Sequence, residues 1–218
     1  MPGTTEQKDE QARAQAKTLQ DEALQADTNT LRLLFTEART HYGWQDRDVS
    51  EETLRLLYDI AKMGPTSMNQ QPMRVIFVRS AEAKNRLEPC LMPANKPKMR
   101  TAPVTAIIAH DLNFWEELPT VFPPNPDAQD IFRNNATAAE MNAFRNGTLQ
   151  GAYFMLAARA VGLDIGGMSG FDNAKVDDEF FHGTSLKSNF LVNLGYADTS
   201  KIFRRLPRLD YDAVCQTL

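Results

Sequence analysis

Gly64-Pro65-Thr66-Ser67-Met68-Asn69-Gln70-Gln71-Pro72-Met73-Arg74 separates a helical pattern from a strand pattern and concentrates polar groups at one point of the chain. Gly64, Pro65 and Pro72 stiffen this turn, so its hydroxyls, amides and backbone N–H groups are held in place before a ligand arrives. That density of donors and acceptors suits a polar heteroaromatic ring. A plain polar turn between helix and strand is the competing reading of the loop taken alone, and the flanking chain has to decide.

Upstream, Ser50 is a good N-cap and Glu51 and Glu52 favour the positive end of a helix dipole. Leu54, Leu57, Tyr58 and Ala61 then form one face before Gly64-Pro65 ends the helix. Before it, Leu31, Leu34, Phe35 and Ala38 predict a helix that delivers Arg39-Thr40-His41. Downstream, Val75 to Val78 and Val104 to Ala109 are β-branched runs that read as core strands covered by helices, with helix-forming composition from Ala81 to Leu91 between them. Residues 119 to 127 hold four prolines flanked by Phe114, Trp115 and Phe122, a loop over a pocket or a surface excursion. Leu149 to Val161 predicts a central helix with Leu149, Ala152, Tyr153, Leu156, Ala157 and Ala160 on its packed face and Gly162 as its stop. Gly166 to Phe171 reads as a second glycine-rich loop, followed by a helix from Asp172 to Phe181 and a strand from Phe190 to Leu194.

The chain has 218 residues, 42% of them hydrophobic, enough for one domain with a substantial core. Residues 1–28 are polar and carry little besides Leu19 and Leu24, so they read as an arm or a lone surface helix ahead of a domain over 29–218. Charge of −4 from 24 basic and 28 acidic residues gives no strong attraction to nucleic acid or to an anionic membrane surface. Cys90 and Cys215 make neither a disulfide framework nor a thiolate metal site, and no apolar run approaches the roughly 20 residues that span a bilayer. A cytoplasmic protein is expected.

Motifs exclude several chemistries. There is no G-x-G-x-x-G after a strand, no phosphate loop of the G-x-x-x-x-G-K-[ST] kind and no G-x-S-x-G elbow. His41, His110 and His182 are widely separated, so no metal site is expected, and no catalytic acid or base stands out. What remains is a set of polar loops and basic residues at element ends, suited to holding a phosphorylated planar cofactor noncovalently.

The block from Gly64 to Val75 resembles the P-S-S-x-N-x-Q-P-W-x-F segment of the FMN-dependent nitroreductase family, with Thr66 for the first Ser and Met73 for the Trp. Arg39-Thr40-His41, Gly167 to Asp172 and Arg205 to Leu209 resemble that family's N-terminal phosphate segment, its P-I-E-G-F-D loop and its C-terminal basic contact. Within it, Ala38 to His41, Gly64 to Ser67, Ala102 to Ile107 and Met168 to Asp172 are most similar to the malonic semialdehyde reductases of pyrimidine breakdown.

The resemblance implies an α+β nitroreductase-like fold, a mixed sheet flanked by helices, assembled as a homodimer with FMN at the interface. It implies FMN contacts from Arg39, Thr40, His41, Pro65, Thr66, Ser67, Asn69, Met168, Ser169, Gly170, Arg205 and Arg208, with the three arginines as phosphate partners. Ser169 departs from the family's Glu, yet the backbone N–H that this loop aims at flavin N5 is available from any non-proline residue. NADH or NADPH is then the transient hydride donor, and malonic semialdehyde reduced to 3-hydroxypropanoate is the expected reaction. A broad nitroaromatic or quinone reductase, or a flavin-binding protein without turnover, is the alternative.

Overall fold

The computed structural model describes residues 4–22 and 24–218. The chain divides into two compact units, residues 1–38 and 39–218.

In the first unit a helix covers Thr5–Asp21, and Thr4 and Gln7 form a reciprocal capping box at its start. None of its residues is buried. Leu19 and Leu24 are exposed, as so polar a segment requires. The helix predicted around Leu31 to Ala38 is instead one α turn, Thr28–Leu31, continued by a π-helical turn over Arg32–Thr36. Arg32 and Glu37 pair at 2.7 Å, and their five-residue spacing matches the wider π turn, in which Glu37 N–H donates to the Arg32 carbonyl.

The second unit is built on four strands, β1 (Met73–Val78), β2 (Val104–Asp111), β3 (Asp164–Met168) and β4 (Leu186–Gly195), in the spatial order β1-β2-β4-β3. All three pairings are antiparallel. Among the described residues, the mixture of directions expected for the sheet is confined to one parallel bridge between Thr40 and Ile165. Central β2 is buried from Val104 to His110 because helices cover both faces. On one face lie Leu54 and Leu57 of helix Glu51–Ala61 with Phe154, Ile165 and Val192. On the other lie Leu87, Met99, Phe171, Val176 and Phe181.

The central helix starts at Ala136, far earlier than its apolar pattern suggests, and runs 25 residues to Ala160 with Asn135 as its N-cap. Its packed face also differs from the predicted one. Ala143, Asn146, Gly147, Gln150, Gly151, Phe154, Ala157 and Ala158 are buried, whereas Leu149 and Tyr153 are exposed. Close approach explains the exchange: a Cβ at position 151 would lie 2.4 Å from the Phe190 ring, so Ala and Gly take most sheet-facing positions, with Phe154 the large apolar exception, while Leu149 and Tyr153 face outward. The proline-rich segment folds into short helical turns around Phe114, Leu118 and Phe132, which pack on Ala139 and Ala143 of the long helix. Gly166 and Gly167 belong to β3, with the predicted loop shortened to the residues after Met168.

Residues 203–218 are exposed throughout, with one turn of helix at Tyr211–Val214. Cys90 is buried and Cys215 exposed. Among the described residues no helix is long and apolar enough to cross a membrane.

Candidate active site

The loop before β1 takes an uncommon backbone path. Met68, Asn69 and Gln71 have φ of 48°, 52° and 44°, a left-handed region that strains non-glycine residues by roughly 1–3 kcal/mol each and is concentrated at ligand sites. The turn is held from several sides. Ser67 N–H donates to Asn146 Oδ1 at 2.9 Å, Gln71 N–H to Thr66 Oγ1 at 3.2 Å, and Asn69 Nδ2 to the Val121 carbonyl at 2.8 Å. Just beyond, Met73 N–H donates to Gln150 Oε1 at 2.9 Å. Gly64 lies against the long helix, where a Cβ would come 2.5 Å from the Tyr153 ring. Pro65, Ser67 and Asn69 face solvent, and Thr66 is half-buried. Beside the loop a cavity of about 370 Å³ is lined by Tyr58, Gln70, Met73, Phe77, Val121 and Gln150.

A second group of residues gathers at β3. Thr40 bridges to Ile165, and His41 N–H donates to the Ile165 carbonyl at 2.9 Å, so the 39–41 segment lies alongside that strand. His41 is buried, its Nε2 3.2 Å from Asp164 Oδ1, while Asp164 Oδ2 accepts from Ala197 N–H at 2.8 Å. Burial alone would raise the Asp164 carboxyl. The hydrogen bonds from His41 and Ala197, with the charges of His41 and Arg159, overcome it and leave Asp164 below the ordinary carboxylate range. Arg159 is held below its ordinary value by burial and the neighbouring Arg205 charge, against the pull of Asp164. Arg39 Nη2 donates to the Phe203 carbonyl. Arg39 is thus tied to the C-terminal segment two residues before Arg205, and Arg159 feels the charges of Arg205 and of Asp164 at the start of β3.

The predicted residues therefore fall into separate places. Arg39, Thr40, His41 and Arg205 share the corner at β3. Pro65, Thr66, Ser67 and Asn69 form the loop at β1. These strands are opposite edges of the sheet, three strand spacings or about 14 Å apart. Met168 ends β3 with its side chain in the core, where Asn193 Nδ2 donates to its sulfur at 3.6 Å. Ser169 is exposed, and the Gly170 carbonyl accepts from Met92 N–H and Asn95 Nδ2, which pins this loop to residues 92–95. Arg208 folds back onto the Leu206 and Pro207 carbonyls in the exposed segment. Asn146, Gln150, Arg159 and Asp164 are additions that the motif reading lacks. Asn146 and Gln150 did leave a signal, as carboxamides four residues apart, each followed by a glycine.

Among the described residues no group of three or more His, Cys, Asp or Glu side chains could hold a metal ion. The donors do fit a phosphorylated heteroaromatic group: guanidinium forks stand at one edge, and at the other a rigid turn presents a hydroxyl and an amide oxygen. Residues 36–196 match the model of the nitroreductase family. This chain belongs to the nitroreductase family.

Solved structures share the architecture. A Bacillus subtilis protein described as a nitroreductase aligns with a TM-score of 0.77 at 17% identity, over 88% of this chain and all of its own. A protein of Exiguobacterium sibiricum, described as a nitroreductase in complex with FMN, gives 0.78 at 19% identity over 89% of this chain and 99% of its own. A Staphylococcus epidermidis protein described as an NAD(P)H:FMN oxidoreductase gives 0.75 at 19% identity, over 89% and 98%. At these identities the likeness is one of fold.

Proposed function

We propose that this family member is an FMN-dependent NAD(P)H oxidoreductase, active as a homodimer, whose acceptor is malonic semialdehyde, reduced to 3-hydroxypropanoate. The observation that carries the cofactor reading is the left-handed polar turn before β1, joined by Arg39, which is tied to the C-terminal segment that bears Arg205. Family membership and the FMN named for the Exiguobacterium relative support it. The semialdehyde reading draws its support from the runs Ala38 to His41, Gly64 to Ser67, Ala102 to Ile107 and Met168 to Asp172.

Two features favour the dimer. The β1 loop and the β3 corner lie at opposite sheet edges of one chain, and pairing two copies is a way to bring one copy's loop to the other's corner. Large apolar side chains also stand exposed, among them Leu149 and Tyr153 on the long helix and Leu206, Leu209 and Tyr211 in the C-terminal segment.

When bound, FMN supplies the hydride-transfer chemistry, and the protein supplies position and electrostatics. Arg39 and Arg205 hold its phosphate with charge-assisted bonds, and Arg159 adds positive charge behind them. The Ser67 hydroxyl and the Asn69 Oδ1 orient the ring, and Ser169 offers its backbone N–H. No side chain of the loop is placed as a general acid, so water admitted at the exposed turn provides the proton that completes an alcohol product.

An absorbance spectrum of the purified protein tests the cofactor, with flavin bands expected. Anaerobic stopped-flow bleaching by NADH and by NADPH then separates an oxidoreductase from a flavin carrier. Product analysis with malonic semialdehyde, a quinone and a nitroaromatic decides the acceptor, and slow turnover of the semialdehyde beside fast quinone reduction would overturn the narrower reading.

A further inference from the structure

Asn146 sits at the middle of the long helix, 2% exposed, and two of its three hydrogen bonds go to one turn. Its Oδ1 accepts from Ser67 N–H and its Nδ2 donates to Gln70 Oε1, both at 2.9 Å, with a further 2.9 Å bond from Nδ2 to the Asn142 carbonyl. Ser67 and Gln70 bracket Met68 and Asn69, the two successive left-handed residues. We propose that Asn146 is a positioning residue that sets the Ser67–Gln71 turn in its left-handed form and so presets the surface offered to the flavin.

Three observations point the same way. The orientation of the Asn146 amide is forced, because Ser67 N–H needs an acceptor and Gln70 Oε1 needs a donor. Gln70 is 1% exposed and its Nε2 has no partner, so the Gln70 carboxamide is oriented through Oε1 alone, by Asn146. Among the other side-chain supports, Thr66 Oγ1 on Gln71 N–H and the Val121 carbonyl on Asn69 Nδ2 come from residues that are only half-buried. Arg74 Nη1 of β1 reaches the Gln71 carbonyl at the far end of the turn, and the backbone bonds Asn69 N–H to Thr66 and Gln70 N–H to Ser67 lie within the turn itself. The helix is therefore the rigid body to which the strained turn is referred, and Asn146 is the side chain that transmits it.

This inference rests on the FMN reading for its functional half, and the test keeps the two apart. Hydrogen exchange of the FMN-free protein reports on the turn without any cofactor. The Ser67 amide of the native chain should be well protected although its residue is exposed, and exchange there as fast as in a free loop would overturn the clamp even if no variant folds. Asn146→Leu keeps the volume and removes both bonds to the turn, so exchange at Ser67 should rise by about tenfold or more. FMN affinity, measured by fluorescence quenching, should fall by a similar factor of about ten. Gln150→Leu, on the same helix face but bonded to Met73 beyond the turn, serves as the structural control and should leave Ser67 exchange unchanged. An Asn146→Leu protein with native exchange and native FMN affinity would show that the turn holds itself. Failure of the native protein to bind FMN would overturn the cofactor reading and leave the exchange result standing.

Discussion

Gly166 and His41 are packed so closely that a Cβ at position 166 would lie 2.6 Å from the His41 carbonyl oxygen. The absence of a side chain at this point of β3 is what lets the 39–41 segment lie flush against the strand. Gly166→Ala should push that segment outward at a cost on the order of 1–3 kcal/mol, lowering both melting temperature and retained FMN. A variant with native FMN content would show that the corner tolerates the displacement.

Acid should lower the stability of the protein over two successive pH ranges. Burial lowers the His110 imidazole, against the attraction of Asp177, Glu140 and Asp111, so the folded state keeps it neutral where an unfolded chain would bind a proton. Stability is therefore complete above about pH 6.5 and declines as pH falls from there toward the lowered folded value. Asp164 is also depressed, so its contribution is present above the unfolded value of about 4 and disappears as pH drops through the folded one. Asp164→Asn should flatten the decline over the lower range and leave the upper one. Urea midpoints measured from pH 3 to 8 on both proteins check this, and an unchanged decline over the lower range would place the acid sensitivity elsewhere.

The arginines should rank by position. Arg39→Ala and Arg205→Ala each remove a guanidinium from the corner and should weaken FMN binding by about 2 kcal/mol, roughly thirtyfold. Arg208, bonded to its own neighbouring carbonyls, should matter less. Equilibrium dialysis of the three variants measures the order, and a larger loss at Arg208 than at Arg39 would reverse the assignment.

Removing residues 1–28 should leave FMN content and NAD(P)H oxidation within about twofold, because the helix there buries none of its residues and every proposed contact lies later in the chain. A large loss of activity in the truncated protein would make the arm part of the working enzyme.

Much of this architecture was readable before any coordinates. Ser50 and Gly64 bracket a helix as capping chemistry requires, and the apolar runs at 75–78 and 104–109 became β1 and β2. The long helix hides its core face because that face is mostly Ala and Gly with two buried carboxamides, so a hydrophobicity pattern favours Leu149 and Tyr153 on the opposite side. The strand at Gly166 was hidden for a related reason: two glycines signal a turn in isolation, and only the neighbouring His41 backbone explains them in a sheet. The stiff loop at Gly64 to Pro72 was legible from composition. Its left-handed residues were not, since Met68 and Gln71 carry no local preference for that region, and the bonds that fix the turn around Met68 run from Ser67 and Gln70 to the distant Asn146.

The unequal placement of the two cysteines gives the molecule a chemical handle. Burial raises the Cys90 thiol, whereas Cys215 stands open in the C-terminal segment. A maleimide dye at neutral pH should therefore mark Cys215 and leave Cys90 untouched, with no engineering. Energy transfer between dyes on mixed, separately labelled preparations would then report whether copies of the chain associate as the proposed dimer requires, and its absence would count against that dimer.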